Sequence, residues 1–195
     1  MSSLAQAKAL GGIGSILIVL TALPSVGWLV GLIGFILVLV AVKYISDEVR
    51  DPSVFNNMLI SVLAGIAGIV VGAAFVLAEL FTITSIMSGV GGPGGFEPSS
   101  LLGIVGPVML GLAMIWVAFI VSAVFLKKSY DNIALKLNVG LFRTTALLYL
   151  IGAATLIILV GFIVLLVAVI LQIVAFFSIQ EQPVQPTAPP QPSPV

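Results

Sequence analysis

The sequence predicts an all-α fold: a polytopic transmembrane helix bundle of six spans in three hairpins. Three observations carry that prediction. Of 195 residues, 61% are hydrophobic and 7% charged, whereas a soluble domain needs roughly 25% charged residues to clothe its surface. The apolar residues are gathered into runs, and about 20 helical residues suffice to cross a hydrocarbon core of about 30 Å. The basic residues are spaced so that six spans place all of them on one side.

Each span follows from its own stretch. Residues 9–42 are apolar or small, interrupted by Thr21 and then by Pro24, Ser25 and Gly27. That turn signal divides them into helices over 6–23 and 25–45. Residues 54–83 and 101–127 read as two ordinary spans. Residues 144–179 carry no charge, and Gly161 near their middle divides them into 144–159 and 161–179. With a cytoplasmic N-terminus, Lys8, Lys43, Arg50, Lys127, Lys128, Lys136 and Arg143 then all fall inside, in keeping with the positive-inside rule. The alternative of four or five spans fuses a long run into a helix of more than about 30 residues, against the 17–25 that a crossing needs. With four spans it also sets Lys8 opposite Lys43 and Arg50. The start mimics a signal peptide, but no A-x-A cleavage site follows the first apolar run before Pro24, so it is read as a retained helix. The domain plan is a transmembrane helical domain over 1–179 and a disordered Pro/Gln-rich cytoplasmic tail over 180–195. The protein is thus placed in the cell membrane as a multi-pass chain with both termini cytoplasmic.

Composition also excludes chemistry. The chain has no cysteine and no histidine, which removes disulfides, thiolate nucleophiles, thiolate metal sites and the commonest general base. Net charge is zero without a strongly basic stretch, so nucleic acid is not an expected partner. The outer loop ITSIMSGVGGPGGFEPSS, residues 83–100, is Gly-rich but lacks a phosphate-loop Lys and a preceding strand, which argues against nucleotide binding. No catalytic, cofactor or metal residue is expected.

The polar candidates are few. KYISDEVRDPSVFNN, residues 43–57, holds five of the fourteen charged side chains. Lys43 and Asp47 are four apart and suited to pair on one helix turn, and Tyr44 suits the headgroup layer. Asp51, Pro52 and Ser53 read as a helix start, an Asp N-cap followed by Pro at the first helical position. The sharper reading gathers Asp47, Glu48 and Asp51 into a divalent cation site. The other inner loop offers only Asp131 to face it, and the cap is preferred. Glu79 is the one acidic residue within a span, about a turn from the outer end of the third helix. It reads as an interfacial carboxylate, or as a proton or cation site if shielded from water. Gln172, near the middle of the sixth helix, is expected to bond a neighbouring helix. Ser61, Ser122 and Thr155 are expected to bond back to their own helices.

Small residues and repeats organise the rest. Gly65, Gly68 and Gly72 form a stripe on the third helix, and Gly27, Gly31 and Gly34 one on the second. Such stripes let helices approach closely in lipid, within one chain or across a homo-oligomer face. Gly27 to Val42 aligned on Gly161 to Phe176 matches at seven of sixteen positions, and Lys43 with Asp47 recurs as Lys127 with Asp131, suggesting tandem hairpins. Lys128 to Asn138, with Tyr130, Ile133, Ala134 and Leu137 on one face, is expected to lie along the inner membrane surface. In the tail, Pro183, Pro186, Pro189 and Pro192 recur every third residue, which suits either a solubilising tail or a docking motif for a protein partner.

LAQAKALGGIGSIL, the elbow KYISDEVRDPSVFNN and LFRTTALLYLIGAATLIILVGFIVLLVAVILQIVAFFSI together resemble an uncharacterised archaeal integral membrane family, domain of unknown function 996. The resemblance covers most of residues 4–179. It implies an archaeal membrane location and carries no assigned activity or catalytic residues. The functional expectation is a non-enzymatic structural or interaction component of the lipid bilayer; the alternative is a small oligomeric transporter or channel.

Overall fold

A computed structural model describes residues 3–23, 27–87 and 98–180. Among these the secondary structure is helical, with no strand: α1 (Ser3–Val19), α2 (Gly27–Glu48), α3 (Pro52–Met87), α4 (Pro98–Leu137), α5 (Leu141–Ala154) and α6 (Val160–Phe177). Single 3-10 turns at Leu20–Ala22 and Leu156–Ile158 follow α1 and α5. The turn residues Pro24 and Ser25, most of the outer Gly-rich loop and the Pro-rich tail lie outside the described residues.

Four stretches are long and apolar enough to cross a membrane: Leu29–Glu48, Pro52–Thr84, Val105–Leu137 and Val160–Phe177. α1 and α5 are apolar but shorter, at 17 and 14 residues. These dimensions agree with a multi-pass membrane protein. The helices pack in chain order, each against the next, and α6 returns onto α1 to close the ring. α2 and α3 are the least closely packed of the neighbours.

Glycine sets the spacing of all three hairpins. A Cβ at Gly14 of α1 would lie 2.6 Å from Gly34 O of α2, and one at Gly72 of α3 would lie 2.6 Å from Gly111 O of α4. In the third hairpin a Cβ at Gly161 would strike Gly152 O. The helices of each pair therefore touch backbone to backbone, the close approach by which dispersion can hold apolar helices together in lipid. Both predicted Gly stripes face helices of the same chain. The proposed repeat has a structural counterpart as well. Gly27 is the first residue of α2 and Gly161 the second of α6, and each lets the backbone of the preceding 3-10 turn approach where a side chain would block it: Leu20 O at 2.8 Å from a Cβ at Gly27, Leu156 N at 2.5 Å from one at Gly161.

Large buried side chains gather at one end of the bundle. Val38, Val42 and Ile45 of α2, Val54 and Met58 of α3, Tyr130 and Ile133 of α4, Phe142 of α5 and Phe176 of α6 form a single core. Phe142 receives Tyr130 and Phe176 edge-to-face, with centroids 5.4 and 5.1 Å apart, an arrangement worth about 0.5–1.5 kcal/mol per pair beyond burial. Leu4 and Ile179 belong to the same core, so both ends of the described chain lie there. Lys8, Lys43 and Arg143 adjoin core residues in sequence, which makes this the basic end of the molecule.

One expectation is corrected here. The stretch from Lys128 is not a separate surface helix: α4 continues unbroken to Leu137 and buries Tyr130, Ile133 and Ala134 in the core. Nothing between Lys127 and Asn138 breaks a helix, and a stripe at helical period fits a protein core as well as a lipid surface. The helix ends where Asn138 takes φ 54° and Val139 N–H donates to Ala134 O at 3.1 Å, the left-handed stop that satisfies terminal carbonyls.

At the opposite end α3 and α4 stand proud of their neighbours. Trp116 donates its indole N–H to Ala153 O at 3.1 Å, at the end of α5. From Trp116, α4 runs outward to Pro98, about 27 Å further at 1.5 Å per residue.

Candidate functional site

Three polar regions hold the four residues singled out from the sequence, and the fold does not bring them together. The first is inside the bundle. The Tyr149 hydroxyl donates to Gln172 Oε1 at 2.7 Å, Gln172 Nε2 donates to Ser15 Oγ at 2.8 Å, and Ser15 Oγ donates to Gly11 O at 2.7 Å. One chain of hydrogen bonds thus ties α5, α6 and α1. Gln172 is 2% exposed and Ser15 fully buried; in an apolar interior each unmade bond would cost the full desolvation of its group. Gln172 bonds its neighbours as expected, but its partners Ser15 and Tyr149 were not legible. A lone Tyr in the middle of an apolar span is a usable signal, because a buried phenol needs an acceptor.

A further bridge follows the same logic. Ser61 Oγ and Ser122 Oγ lie 3.0 Å apart and join α3 to α4, rather than bonding back to their own helices. Thr155 does bond back, to Ile151 O at 2.7 Å. Two buried hydroxyls, those of Tyr130 and Thr145, have no hydrogen-bond partner among the described residues.

The second region is the elbow between α2 and α3, at the basic end. Arg50 takes φ 51°, with Arg50 N–H to Asp47 O at 3.3 Å and Asp51 N–H to Ser46 O at 3.0 Å. This is the left-handed turn that glycine normally supplies at a helix end. Asp51 then caps α3: its Oδ1 accepts Ser53 N–H at 3.1 Å and Ser53 Oγ–H at 2.6 Å, while Lys136 Nζ stands 3.8 Å from Oδ2. Asp47 pairs with Lys43, and the Ser3 hydroxyl donates to Glu48. The three carboxylates of DEVRD thus turn to three different partners. Among the described residues no group of three His, Cys, Asp or Glu side chains is placed to hold a metal. The matching pair Lys127 and Asp131 also forms. Between the two helix ends lies an open cavity of about 360 Å³, lined among others by Lys43, Arg50, Phe55 and Asn56.

The hydrogen bonds from Ser53, helped by Lys136, hold the Asp51 carboxyl below its ordinary value of 3.8. A lowered folded-state pKa stabilises the fold above that ordinary value, and the contribution is lost as pH falls through the folded pKa. Asp51→Asn is therefore expected to be nearly neutral at pH 7, because Asn caps as well as Asp, while Asp51→Ala lowers the melting temperature. Wild type should also lose stability over Asp51→Asn only below about pH 4. Equal melting temperatures for the Ala and Asn variants at pH 7 would remove the cap.

The third region is Glu79. It is half-buried on the outer part of α3, seven residues beyond the Gly72 contact and about two turns before the helix ends at Met87. α3 runs four residues further than predicted, so Glu79 sits one turn deeper from its end than the sequence suggested.

Residues 30–170 match the family described as protein of unknown function (DUF996). An uncharacterised protein of the archaeon Methanocaldococcus jannaschii, MJ1644, is 32% identical over 178 residues, which is 91% of this chain and 94% of that protein. No solved structure matches the chain. On the extent of both matches, which reach across the elbow and the buried polar chain's α5, the chain belongs to the DUF996 family.

Proposed function

We propose that the chain is a six-span integral membrane protein with both ends in the cytoplasm, acting as a non-enzymatic structural or interaction component of the membrane. The observation that carries this reading is the buried polar chain. Tyr149, Gln172 and Ser15 spend their groups on one another and on Gly11 O, so these three lock helices rather than line a path. A conducting site needs polar groups left free to meet a solute. Six crossings are favoured because both described termini lie at the basic end, which requires an even number, and because α1 and α5 each form a Gly-spaced hairpin with a longer partner. Since both Gly stripes are used within the chain, the Pro-rich tail is the better place for a protein partner.

Topology is tested by single cysteines. Those at Ser3, Ser53 and Ser193 should react only from the cytoplasmic side, and those at Ser25 and Ser88 only from outside; labelling of Ser3 and Ser53 from opposite faces would end the six-span reading.

The unpartnered hydroxyls of Tyr130 and Thr145 favour the second reading, a small oligomeric transporter. The two readings part in liposomes containing the purified protein. The structural reading expects no pH-dependent ion flux from wild type or from Glu79→Gln, with the fold of both intact. Flux that is present in wild type and lost in Glu79→Gln would establish transport instead.

A further inference from the structure

We propose that the elbow between α2 and α3 binds a phosphate-bearing membrane lipid, with the phosphate in the cavity and the chains in the groove above it. The cavity of about 360 Å³ presents Lys43 and Arg50, the Asn56 amide and the Phe55 ring, with one carboxylate, Asp47, already paired to Lys43. The lining therefore carries one net positive charge. Lys43 Nζ lies over the Phe55 ring, 5.5 Å from its centroid, which places the ammonium at the junction of polar and apolar surface. Arg50 is exposed, and its guanidinium matches the planar, two-pronged recognition of phosphate oxygens.

What makes this a lipid site is the surface that rises from it. From Lys43, Val40, Ile36 and Ile33 follow at helical spacing on α2, with exposures of 37, 50 and 54%. From Asn56, Leu59, Leu63 and Ile66 follow on α3, with exposures of 37, 57 and 53%. Two apolar stripes thus start at the cavity and climb away from the basic end, along the pair of neighbouring helices that pack least closely. A cationic pocket at the foot of an apolar groove matches a headgroup with its chains, and basic pockets between helices on the cytoplasmic side suit anionic headgroups. A free phosphate would use the pocket without the two apolar stripes, and the binding test separates the two.

The proposal rests on the basic end being the cytoplasmic face, which labelling at Ser53 reports separately from lipid binding. The binding test is native mass spectrometry of the purified full chain with phosphatidylglycerol, with diacylglycerol of the same chains, and with inorganic phosphate. The expected result is one retained phosphatidylglycerol, no comparable retention of diacylglycerol, and no displacement by millimolar phosphate. Arg50→Gly should weaken retention about tenfold without lowering the melting temperature, because glycine takes the left-handed turn more readily than arginine. Asn56→Leu should weaken it several-fold. Retention unchanged in both variants, equal retention of diacylglycerol, or displacement by inorganic phosphate would each overturn the lipid site.

Discussion

Gly161→Ala is expected to be among the most damaging single-methyl changes in the chain, with a loss on the order of 3 kcal/mol, the upper end of the overpacking range. The new Cβ would meet Gly152 O and would lie 2.5 Å from Leu156 N and 2.6 Å from Leu156 Cα. All three are backbone atoms, one in α5 and two in the 3-10 turn that follows it, and none can step aside by changing a rotamer. The turn already holds Leu159 at φ 61°, a conformation that costs an L residue about 1–2 kcal/mol. The hairpin therefore has little slack with which to absorb the methyl. Gly152→Ala makes the informative comparison, because its Cβ would meet chiefly the Leu165 side chain, at 2.7 Å, which can rotate. Gly103→Ala has nothing within 4 Å and should be neutral or stabilising by about 0.5–1 kcal/mol, since alanine forms helix better than glycine. Reversible unfolding in mixed micelles ranks the three. Gly161→Ala as stable as wild type would show that α5 and α6 do not meet at this distance.

Gln172→Leu is expected to cost about 1–2 kcal/mol, the range for interhelical hydrogen bonds in membranes and for leaving a buried donor without an acceptor. Leucine fills most of the volume, so the loss comes from the Tyr149 hydroxyl, which now donates to Gln172 Oε1. Tyr149→Phe removes that donor and should cost less than Gln172→Leu. The double variant should then be more stable than the sum of the singles by about 1 kcal/mol, the coupling expected of residues in one network. Strict additivity in the same unfolding assay would show that the two side chains do not interact.

Much of the helical plan was legible because long apolar runs divided by turn signals are a local pattern. Apolar length, a Pro-Ser-Gly turn and the placement of seven basic residues mark the helices to within five residues, except at the end of α4. The Asp51 cap was legible for the same local reason, since Asp-Pro-Ser satisfies orphan N–H groups within one turn. The fate of residues 128–138 was not. Tyr130, Ile133 and Ala134 make one stripe whether they meet lipid or protein, and only the closing of the core around them decides between the two. Gln172 could be read as a residue that needs a partner. Ser15, 157 positions away, could not be named, because hydrogen-bond pairing across helices leaves no trace in spacing along the chain.

The sequence by itself determined the positions of the helices, the apolar length that suits four of them to a membrane, and the residue types available for chemistry, because each follows from local composition. Tertiary structure alone decided which helix faces meet. It spent both glycine stripes inside the hairpins, closed α6 onto α1 through Gln172 and Ser15, and left α2 and α3 loosely joined above a basic cavity. The physical reason is that apolar faces gain little by choosing one another over lipid. Close backbone approach and a few satisfied hydrogen bonds make the choice, and both depend on groups far apart in the chain.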